Sequence, residues 1–240
     1  NMSKGTLFLI PCTIGSSPEL VLPSSVFEVV NQIDFYVVEN LRSARRFLSS
    51  IKISTKIDDL TFYELGKHTQ ESDIPSFLNP ALEGKNIGLI SEAGLPAVAD
   101  PGGKLVAIAH GRGITVKPLT GPSSLMLALM SSGFNGQNFR FRGYIPKERG
   151  DRISFLKDME TEATKRGVSQ IFMDTPFRND HVLEDCILHL SPKTFLNISA
   201  DITLQTEFIK TMPVEQWKTQ KPPLKKRPTV FIIGRPEYLY

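Results

Sequence analysis

The chain has 240 residues, with 28 basic and 25 acidic side chains and 40% apolar residues. This composition is typical of a folded globular protein and excludes a disordered or fibrous chain. Its two cysteines, Cys12 and Cys186, lie far apart, so neither a disulfide scaffold nor a cysteine-based zinc site is expected. No apolar run approaches the roughly 20 residues that a membrane helix needs, and no signal-peptide pattern is present. The sequence therefore predicts a cytoplasmic protein with no membrane association.

The first half of the chain alternates short apolar runs with stretches of helical periodicity. We predict strands at 6–10, 35–38, 62–65, 87–90 and 114–116. Helices are predicted at 24–32, 43–51, 74–82 and 104–110. Strands that alternate with helices over short connections are typical of a parallel, doubly wound α/β sheet.

The second half repeats this alternation less regularly. We predict strands at 140–144, 169–173, 195–199 and 229–233. Helices are predicted at 123–130, 152–166, 180–190 and 214–218. A loop with Pro and Gly near 117–122 separates the two halves, and we place the domain boundary there. The predicted domains are residues 2–118 and 119–240.

Three loops that follow predicted strands are rich in small residues, at 11–17, 91–102 and 120–124. Open parallel sheets bind ligands beyond the carboxyl ends of their strands, so these loops form the candidate site. Small residues let a ligand lie against main chain, and a helix that begins at Ser123 offers N–H groups to its polar atoms. The chain has neither the G-x-G-x-x-G dinucleotide fingerprint nor a P-loop. Its four histidines show no metal-ligand spacing, so no metal is expected.

Several segments carry motifs of one known family. Residues 5–16 read G-T-L-F-L-I-P-C-T-I-G-S, similar to that family's G-T-L-Y-x-V-P-T-P-I-G-N. Residues 91–102 read S-E-A-G-L-P-A-V-A-D-P-G, against S-D-A-G-T-P-x-x-x-D-P-G. The motifs A-E-D-T-R, P-L-P-G-P, G-F-L-P-x-K-x-x-x-R and F-Y-E-S-x-H-R have counterparts at 38–42, 118–122, 143–152 and 172–178. On these motifs the chain resembles the tetrapyrrole methylase family of S-adenosylmethionine (SAM)-dependent methyltransferases.

The similarity is greatest to the branch that methylates a ribose 2′-hydroxyl of small-subunit ribosomal RNA. The resemblance implies two α/β lobes, the first with a mostly parallel sheet and the second with a mixed sheet. It also implies SAM as the cofactor, held in a cleft between the lobes, an RNA substrate and a homodimer. Two other hypotheses stay open, namely a tetrapyrrole acceptor and a SAM-binding or RNA-binding module without catalysis. Against the tetrapyrrole acceptor, the porphyrin branch begins with G-x-G-x-G-D, where this chain has P-C-T-I-G at 11–15.

The resemblance further implies particular site residues. Those implied to bind SAM are Pro11, Ser91, Glu92, Ala93, Gly94, Val98, Thr120, Gly121, Ser123, Met173 and Thr229. The candidates for catalysis are Glu39, Arg42, Asp174 and Arg178, since a hydroxyl acceptor needs a base or a hydrogen-bond acceptor within reach. Two alternatives remain: Glu39 and Arg42 form a structural ion pair, and Met173 is a core residue.

Basic residues in the second half are the candidates for RNA binding. We expect Lys147, Arg149 and Arg152 to contact RNA. Arg140 and Arg142 lie near them in the chain, with the aromatic residues Phe139, Phe141 and Tyr144 interleaved. Cations with aromatic rings suit single-stranded RNA, but strand alternation would also allow Phe141 and Tyr144 to face the core. A second cluster either borders the ligand or only aids solubility, and it contains Lys218, Lys221, Lys225, Lys226 and Arg227.

The chain departs from the family motifs where the acceptor is expected. Glu92 stands for Asp, Asn40-Leu41 stand for Asp-Thr, and Phe177 stands for the His beside Arg178. These changes leave the identity of the methylated nucleotide open.

Overall fold

The computed structural model describes residues 2–239, which form two compact units that divide between Ser123 and Ser124. The sequence prediction placed its boundary five residues earlier, between 118 and 119. Each unit has its own five-stranded sheet and its own buried core. The predicted α/β class, with a parallel N-terminal sheet and a mixed C-terminal sheet, is confirmed.

Unit 1 is a parallel sheet with helices between its strands. The strands are β1 (Thr6–Ile10), β2 (Phe35–Val38), β3 (Thr61–Glu64), β4 (Ile87–Ile90) and β5 (Thr115–Pro118). The helices are α1 (Pro18–Val21), α2 (Ser24–Val30), α3 (Leu41–Ser50), α4 (Asn79–Leu82) and α5 (Gly102–Gly111). The strand order is β3-β2-β4-β1-β5, and every neighbouring pair is parallel.

Both faces of this sheet are covered by apolar side chains. Ile10 and Ile90 pack into one core, whereas Leu7 and Leu89 pack into a second core. Successive strand residues point to opposite faces, so a strand buried on both sides carries a continuous apolar run. This is why the short runs of the sequence predicted the strands of unit 1 to within one or two residues.

The helix predicted at 74–82 is different in the structure. A 3₁₀ helix spans Glu71–Leu78 and is followed by the short helix α4. Pro75 and Pro80 lie in this stretch, and each lacks the backbone N–H that a regular α-helix would use. The segment therefore makes tight turns instead of one α-helix.

Unit 2 is a mixed sheet. The strands are β6 (Phe139–Tyr144), β7 (Ser169–Met173), β8 (Phe195–Ala200), β9 (Phe208–Pro213) and β10 (Thr229–Gly234). The helices are α6 (Ser124–Ser132), α7 (Arg149–Arg166), α8 (Asn179–His189) and α9 (Val214–Trp217). The strand order is β6-β7-β10-β8-β9, where β6 and β7 are parallel and the other pairs are antiparallel.

The sequence prediction missed the edge strand β9. Only Met212 of its six residues is fully buried, so its apolar pattern is weak. The strand forms because β8 offers it a complete antiparallel partner, a tertiary contact that the local sequence does not specify. The adjacent Trp217 is fully buried, and its Nε1 donates a hydrogen bond to the Leu196 carbonyl (2.9 Å).

Between residues 2 and 239, no helix has the length and apolar character needed to cross a bilayer. The same residues contain no group of three or more His, Cys, Asp or Glu side chains placed to hold a metal ion.

Candidate functional site

The sheet order of unit 1 brings the candidate loops together. Strands β2, β4, β1 and β5 are consecutive neighbours and run in the same direction. Their carboxyl ends therefore meet at one edge of the sheet, where parallel α/β sheets bind ligands. The loops after these four strands begin at Glu39, Ser91, Pro11 and Leu119.

Main-chain hydrogen bonds join the loops after β1 and β4. The N–H of Cys12 donates to the carbonyl of Gly94 (2.8 Å), and the N–H of Gly94 donates to the carbonyl of Thr13 (3.2 Å). The buried Cys12 thiol donates to the carbonyl of Ser91 at 3.4 Å. Burial, with a smaller effect from the charge of Glu39, raises the pKa of this thiol to about 12. Cys12 is therefore a protonated hydrogen-bond donor that holds two loops together.

Gly121 allows the loop after β5 to approach the loop after β1. A Cβ added at Gly121 would lie 2.1 Å from Cβ of Pro11 and 2.5 Å from its Cγ. Neither the proline ring nor the main chain can move far enough to restore an ordinary van der Waals contact. Glycine is thus the one residue type that fits against Pro11 at position 121.

The loop at 91–102 has an unusual backbone that Asp100 stabilises. Ala97 and Ala99 adopt left-handed conformations, with φ of 65° and 59°. Asp100 Oδ1 and Oδ2 accept hydrogen bonds from the N–H of Ala97 (2.9 and 3.1 Å), and Oδ1 also accepts from the N–H of Gly102 (2.7 Å). Left-handed alanines cost about 1 kcal/mol each, so these bonds offset local strain.

The sequence prediction did not select Asp100 as a site residue. It belongs to the D-P-G end of the motif at 91–102, and that motif was the signal that could have found it. Burial raises the pKa of Asp100, while its backbone hydrogen bonds act in the opposite direction.

Replacing Asp100 with alanine is expected to loosen this loop. Because two N–H groups would lose their acceptor, we expect the free energy of unfolding to fall by roughly 1–3 kcal/mol. SAM affinity should fall about tenfold if the loop binds it, a loss of roughly 1.4 kcal/mol. Urea unfolding and calorimetry would measure the two effects. Asp100→Asn keeps one acceptor oxygen and should be intermediate; if both variants bind SAM like the wild type, the loop does not need Asp100.

Glu39 follows β2 and lies beside the loop after β4. Its N–H donates to the carbonyl of Ile90 (3.1 Å), and its Oε2 accepts a hydrogen bond from the N–H of Glu92 (3.0 Å). Glu39 and Asp100 both line a small pocket with room for about one water molecule. Burial raises the pKa of Glu39, and the negative charges of Asp100 and Glu92 add to the effect, whereas the bond from Glu92 lowers it.

Arg42 does not pair with Glu39. It lies in the first turn of α3 with an exposed side chain, and the ion pairs among the described residues do not include the pair considered from the sequence. Among residues 2–239, Glu39 therefore has a neighbouring backbone N–H as its partner and no cation within ion-pair distance. An uncompensated, half-buried carboxylate of this kind is suited to accept a proton.

The other predicted SAM residues of unit 1 differ in exposure. Ser91 is buried, and its hydroxyl donates to the carbonyl of Ala93 (3.1 Å). Glu92, Ala93 and Thr120 are exposed at the strand ends, and Val98 keeps 45% of its surface exposed.

In unit 2, Asp174 and Arg178 form one ion pair. Arg178 Nη2 lies 3.2 Å from Asp174 Oδ1, which also accepts the N–H of Thr175 (2.7 Å). The Asp174 side chain is 2% exposed, whereas that of Arg178 is 30% exposed. Asp174 Oδ2 and Arg178 Nε have no hydrogen-bond partner among the described residues. The buried acid holds the guanidinium, which keeps donors for a further oxygen.

Met173 and Thr229 lie at the ends of neighbouring strands β7 and β10. Met173 is half-buried, so it is not a full member of the core. Thr229 is 6% exposed, and its hydroxyl donates to the carbonyl of Arg227 (2.9 Å). The proton of Thr229 is therefore already used, and only its oxygen remains for a ligand.

The structure corrects the expectation for Arg152. This side chain is buried on the inner face of α7, where its Nη2 lies 2.7 Å from Asp185 Oδ2. Position 152 is four residues before the buried Leu156, so it shares the core-facing side of the helix. Arg152 is thus a structural ion-pair residue and is not available to RNA.

Lys147 and Arg149 remain exposed at the start of α7, together with Tyr144, which is 57% exposed. Arg142 is instead held by Asp158 (2.8 Å) and lies over the ring of Phe155. Because Tyr144 is exposed, its ring does not face the core.

The second basic cluster also contains both paired and exposed residues. Arg227 is paired with Asp201 (2.7 Å) and also donates to the carbonyls of Pro223 and Thr206, so it is structural. Lys221 pairs with Glu184 at 2.7 Å. Lys225 and Lys226 are exposed.

The relatives that comparison with known proteins finds share one name. No family model matches the chain. It is 32% identical over 187 residues to ribosomal RNA small subunit methyltransferase I of Halalkalibacterium halodurans, covering 78% of this chain but only 61% of that relative. It is 28% identical over 230 residues to the protein of the same name from Vibrio cholerae, covering 95% of this chain and 76% of the relative.

A solved structure shows the same fold. Uroporphyrin-III C-methyl transferase from Thermus thermophilus, complexed with S-adenyl homocysteine, matches with a TM-score of 0.58 and 18% identity, over 96% of this chain and 98% of that one. The two α/β units therefore have the fold of that methyltransferase. Together with the similarity to the ribosomal RNA methyltransferases, this likeness confirms the predicted resemblance to the tetrapyrrole methylase family.

Proposed function

We propose that this chain is a SAM-dependent methyltransferase that methylates a ribose 2′-hydroxyl of small-subunit ribosomal RNA. The observation that carries the proposal is the set of interlocked loops at the carboxyl ends of β1, β4 and β5, built on the motifs shared with the family. Both relatives are named as ribosomal RNA methyltransferases, which favours RNA over a tetrapyrrole.

The residues of unit 1 fit SAM in chemical terms. The loops present main chain and small side chains, and Gly94 and Gly121 permit close packing where a Cβ would meet Ile14 or Pro11. A nucleoside cofactor is bound mainly through main-chain contacts of this kind. When bound, SAM supplies a methyl group on a cationic sulfur, and carboxylates near that edge of the sheet favour positive charge.

Glu39 is the proposed proton acceptor. Its Oε2 is held by the N–H of Glu92, which leaves Oε1 to accept the proton of the ribose hydroxyl. Its raised pKa brings this carboxylate closer to the pKa that a general base needs near neutral pH.

Arg178 is the proposed phosphate contact. Its guanidinium is oriented by the buried Asp174, so little side-chain freedom would be lost when a phosphate oxygen binds. Met173 and Thr229 are proposed to pack against and hydrogen-bond the adenine of SAM.

Lys147 and Arg149 are proposed to bind the RNA backbone. Replacing both with glutamine should weaken RNA binding about tenfold near 0.15 M salt and lower the salt dependence by roughly 1.4, since each phosphate contact in single strands contributes about 0.7. Fluorescence anisotropy with a labelled RNA would measure this. Arg142→Gln should instead lower thermal stability; an RNA affinity unchanged by the double substitution would remove this cluster from the interface.

The decisive experiment uses labelled SAM with undermethylated small ribosomal subunits. We expect label in the RNA, and nuclease digestion followed by mass spectrometry should find a 2′-O-methylated nucleoside. Label in a tetrapyrrole precursor but not in RNA would instead support the alternative acceptor. Binding of SAM without transfer to either acceptor would support a module without catalysis.

We further propose a cytoplasmic homodimer, on the basis of the family resemblance. Analytical ultracentrifugation should give twice the chain mass of 26.8 kDa.

A further inference from the structure

Unit 2 has a concave surface that the sequence motifs do not include. A pocket of about 450 Å³ lies where the last turns of α7 meet the loop before β8 and the segment after β10. Its volume is in the range of sites that bind small molecules or single nucleotides.

The chemistry of this pocket is that of an anion site. Three cationic residues, Lys165, Lys193 and Arg235, line it. Lys165 and Lys193 are exposed, and neither forms an ion pair with any residue between 2 and 239. Two unpaired ammonium groups beside one pocket attract an anion more strongly than either does alone.

The one acid among the described residues that line the pocket is held by hydrogen bonds. Glu160 Oε2 accepts the N–H of Ser191 (2.8 Å) and the hydroxyl of Thr194 (2.7 Å). These bonds tie α7 to the loop before β8 and so fix the two sides of the pocket. Arg235 is also held in place, since its Nη1 donates to the carbonyl of Thr164 (3.3 Å).

The lining of the pocket is partly apolar. Phe195 is half-buried and Leu239 is 69% exposed. An aromatic edge with neighbouring cations suits a nucleic-acid strand, whose bases stack while its phosphates meet the lysines.

We propose that this pocket binds the phosphodiester backbone of the RNA substrate, at a contact separate from Lys147 and Arg149. This inference rests on the proposed function, because it takes RNA to be the substrate. Arg149 and Lys165 are sixteen residues apart on α7, which corresponds to about 24 Å along the helix. The two residues also lie about 160° apart around the helix axis, so a strand that contacts both must cross α7, with several nucleotides between the contacts.

The test compares two double substitutions of equal charge change. Lys165→Gln with Lys193→Gln removes the proposed contacts. The control, Lys56→Gln with Lys85→Gln, alters exposed lysines that precede β3 and β4, at the amino ends of the strands of unit 1. The probe is a fluorescently labelled, single-stranded 20-nucleotide RNA, titrated at several salt concentrations.

We expect the pocket variant to bind this RNA about tenfold more weakly than the wild type near 0.15 M salt, with a salt slope lower by roughly 1.4. The control should match the wild type within twofold, and Lys165→Arg with Lys193→Arg should restore binding. Equal affinities and equal slopes for the pocket variant and the control would overturn the inference.

Two further measurements distinguish failure of this inference from failure of the proposed function. Calorimetry with SAM and thermal unfolding should be unchanged in the pocket variant, since neither lysine supports the core. If the wild type methylates ribosomal RNA while the pocket variant binds RNA normally, only the pocket assignment fails. If the wild type binds no RNA and methylates none, both proposals fail.

Discussion

A Gly121→Ala variant is expected to lose at least about 100-fold in SAM affinity while remaining folded. The added Cβ would meet Pro11 at 2.1 Å, well inside van der Waals contact, so the loops after β1 and β5 would have to separate by more than 1 Å. A misplacement of about 1 Å at a binding site reduces function by roughly a hundredfold. Calorimetric titration with SAM would measure the loss.

The matched control is Gly103→Ala. Gly103 lies exposed in the first turn of α5, and a Cβ there meets nothing within 4 Å. Alanine is a better helix former than glycine, so this variant should bind SAM normally and gain up to about 1 kcal/mol in stability. If Gly121→Ala keeps wild-type SAM affinity and a normal melting temperature, the loop after β5 lies outside the cofactor site.

A Glu39→Gln variant is expected to lower the rate of methyl transfer by roughly 10²–10⁴-fold, the usual contribution of a general base. Glutamine keeps a side-chain oxygen that can accept the N–H of Glu92, so the loop after β4 should retain its structure. Single-turnover assays at saturating RNA and SAM would separate the chemical step from binding, and SAM affinity should be unchanged.

The pH dependence gives an independent readout of the same role. Only the ionised carboxylate can accept a proton, so the wild-type rate should fall on acidification as Glu39 becomes protonated. Because burial raises the pKa of Glu39, this fall should occur at a higher pH than for an ordinary glutamate of pKa about 4.3. The acidic limb should disappear in Glu39→Gln.

Glu64→Gln provides the control for this substitution. Glu64 ends the adjacent strand β3 and also accepts a backbone hydrogen bond, from the N–H of Leu41 (3.2 Å), but it is exposed. It should therefore keep near wild-type activity and the same pH profile. Equal rates for Glu39→Gln and the wild type would transfer the role of base to another carboxylate, with Asp174 the next candidate.

Local sequence was sufficient for most of the fold. The buried parallel strands of unit 1 carry continuous apolar runs, and their short connections leave few alternatives to a doubly wound sheet. Prediction from local sequence failed where the local pattern and the tertiary contacts favour different structures. Pro75 and Pro80 replace a regular helix with turns, and β9 forms only because β8 pairs with it.

For the candidate site, the motifs of the sequence located the loops but not the roles of all their residues. Gly121 was expected to matter, yet only the structure shows that Pro11 is the group it packs against. Arg149 and Arg152 lie three residues apart and on one side of α7, but Arg149 is the first residue of the helix and is exposed, whereas Arg152 is buried beside Asp185. Composition cannot distinguish the two, because burial depends on how far along α7 the rest of unit 2 packs against it.

The amino-acid sequence by itself determined the resemblance to a known family, the α/β class and the positions of the candidate loops, because these follow from motifs and from hydrophobic periodicity. Only the tertiary structure showed that Asp100 holds a strained loop, that Asp174 and Arg178 are paired, and that Lys165 and Lys193 share a pocket. Each of these depends on contacts between residues brought together by folding, and charge–charge and hydrogen-bond energies are set by distances that the linear chain does not contain.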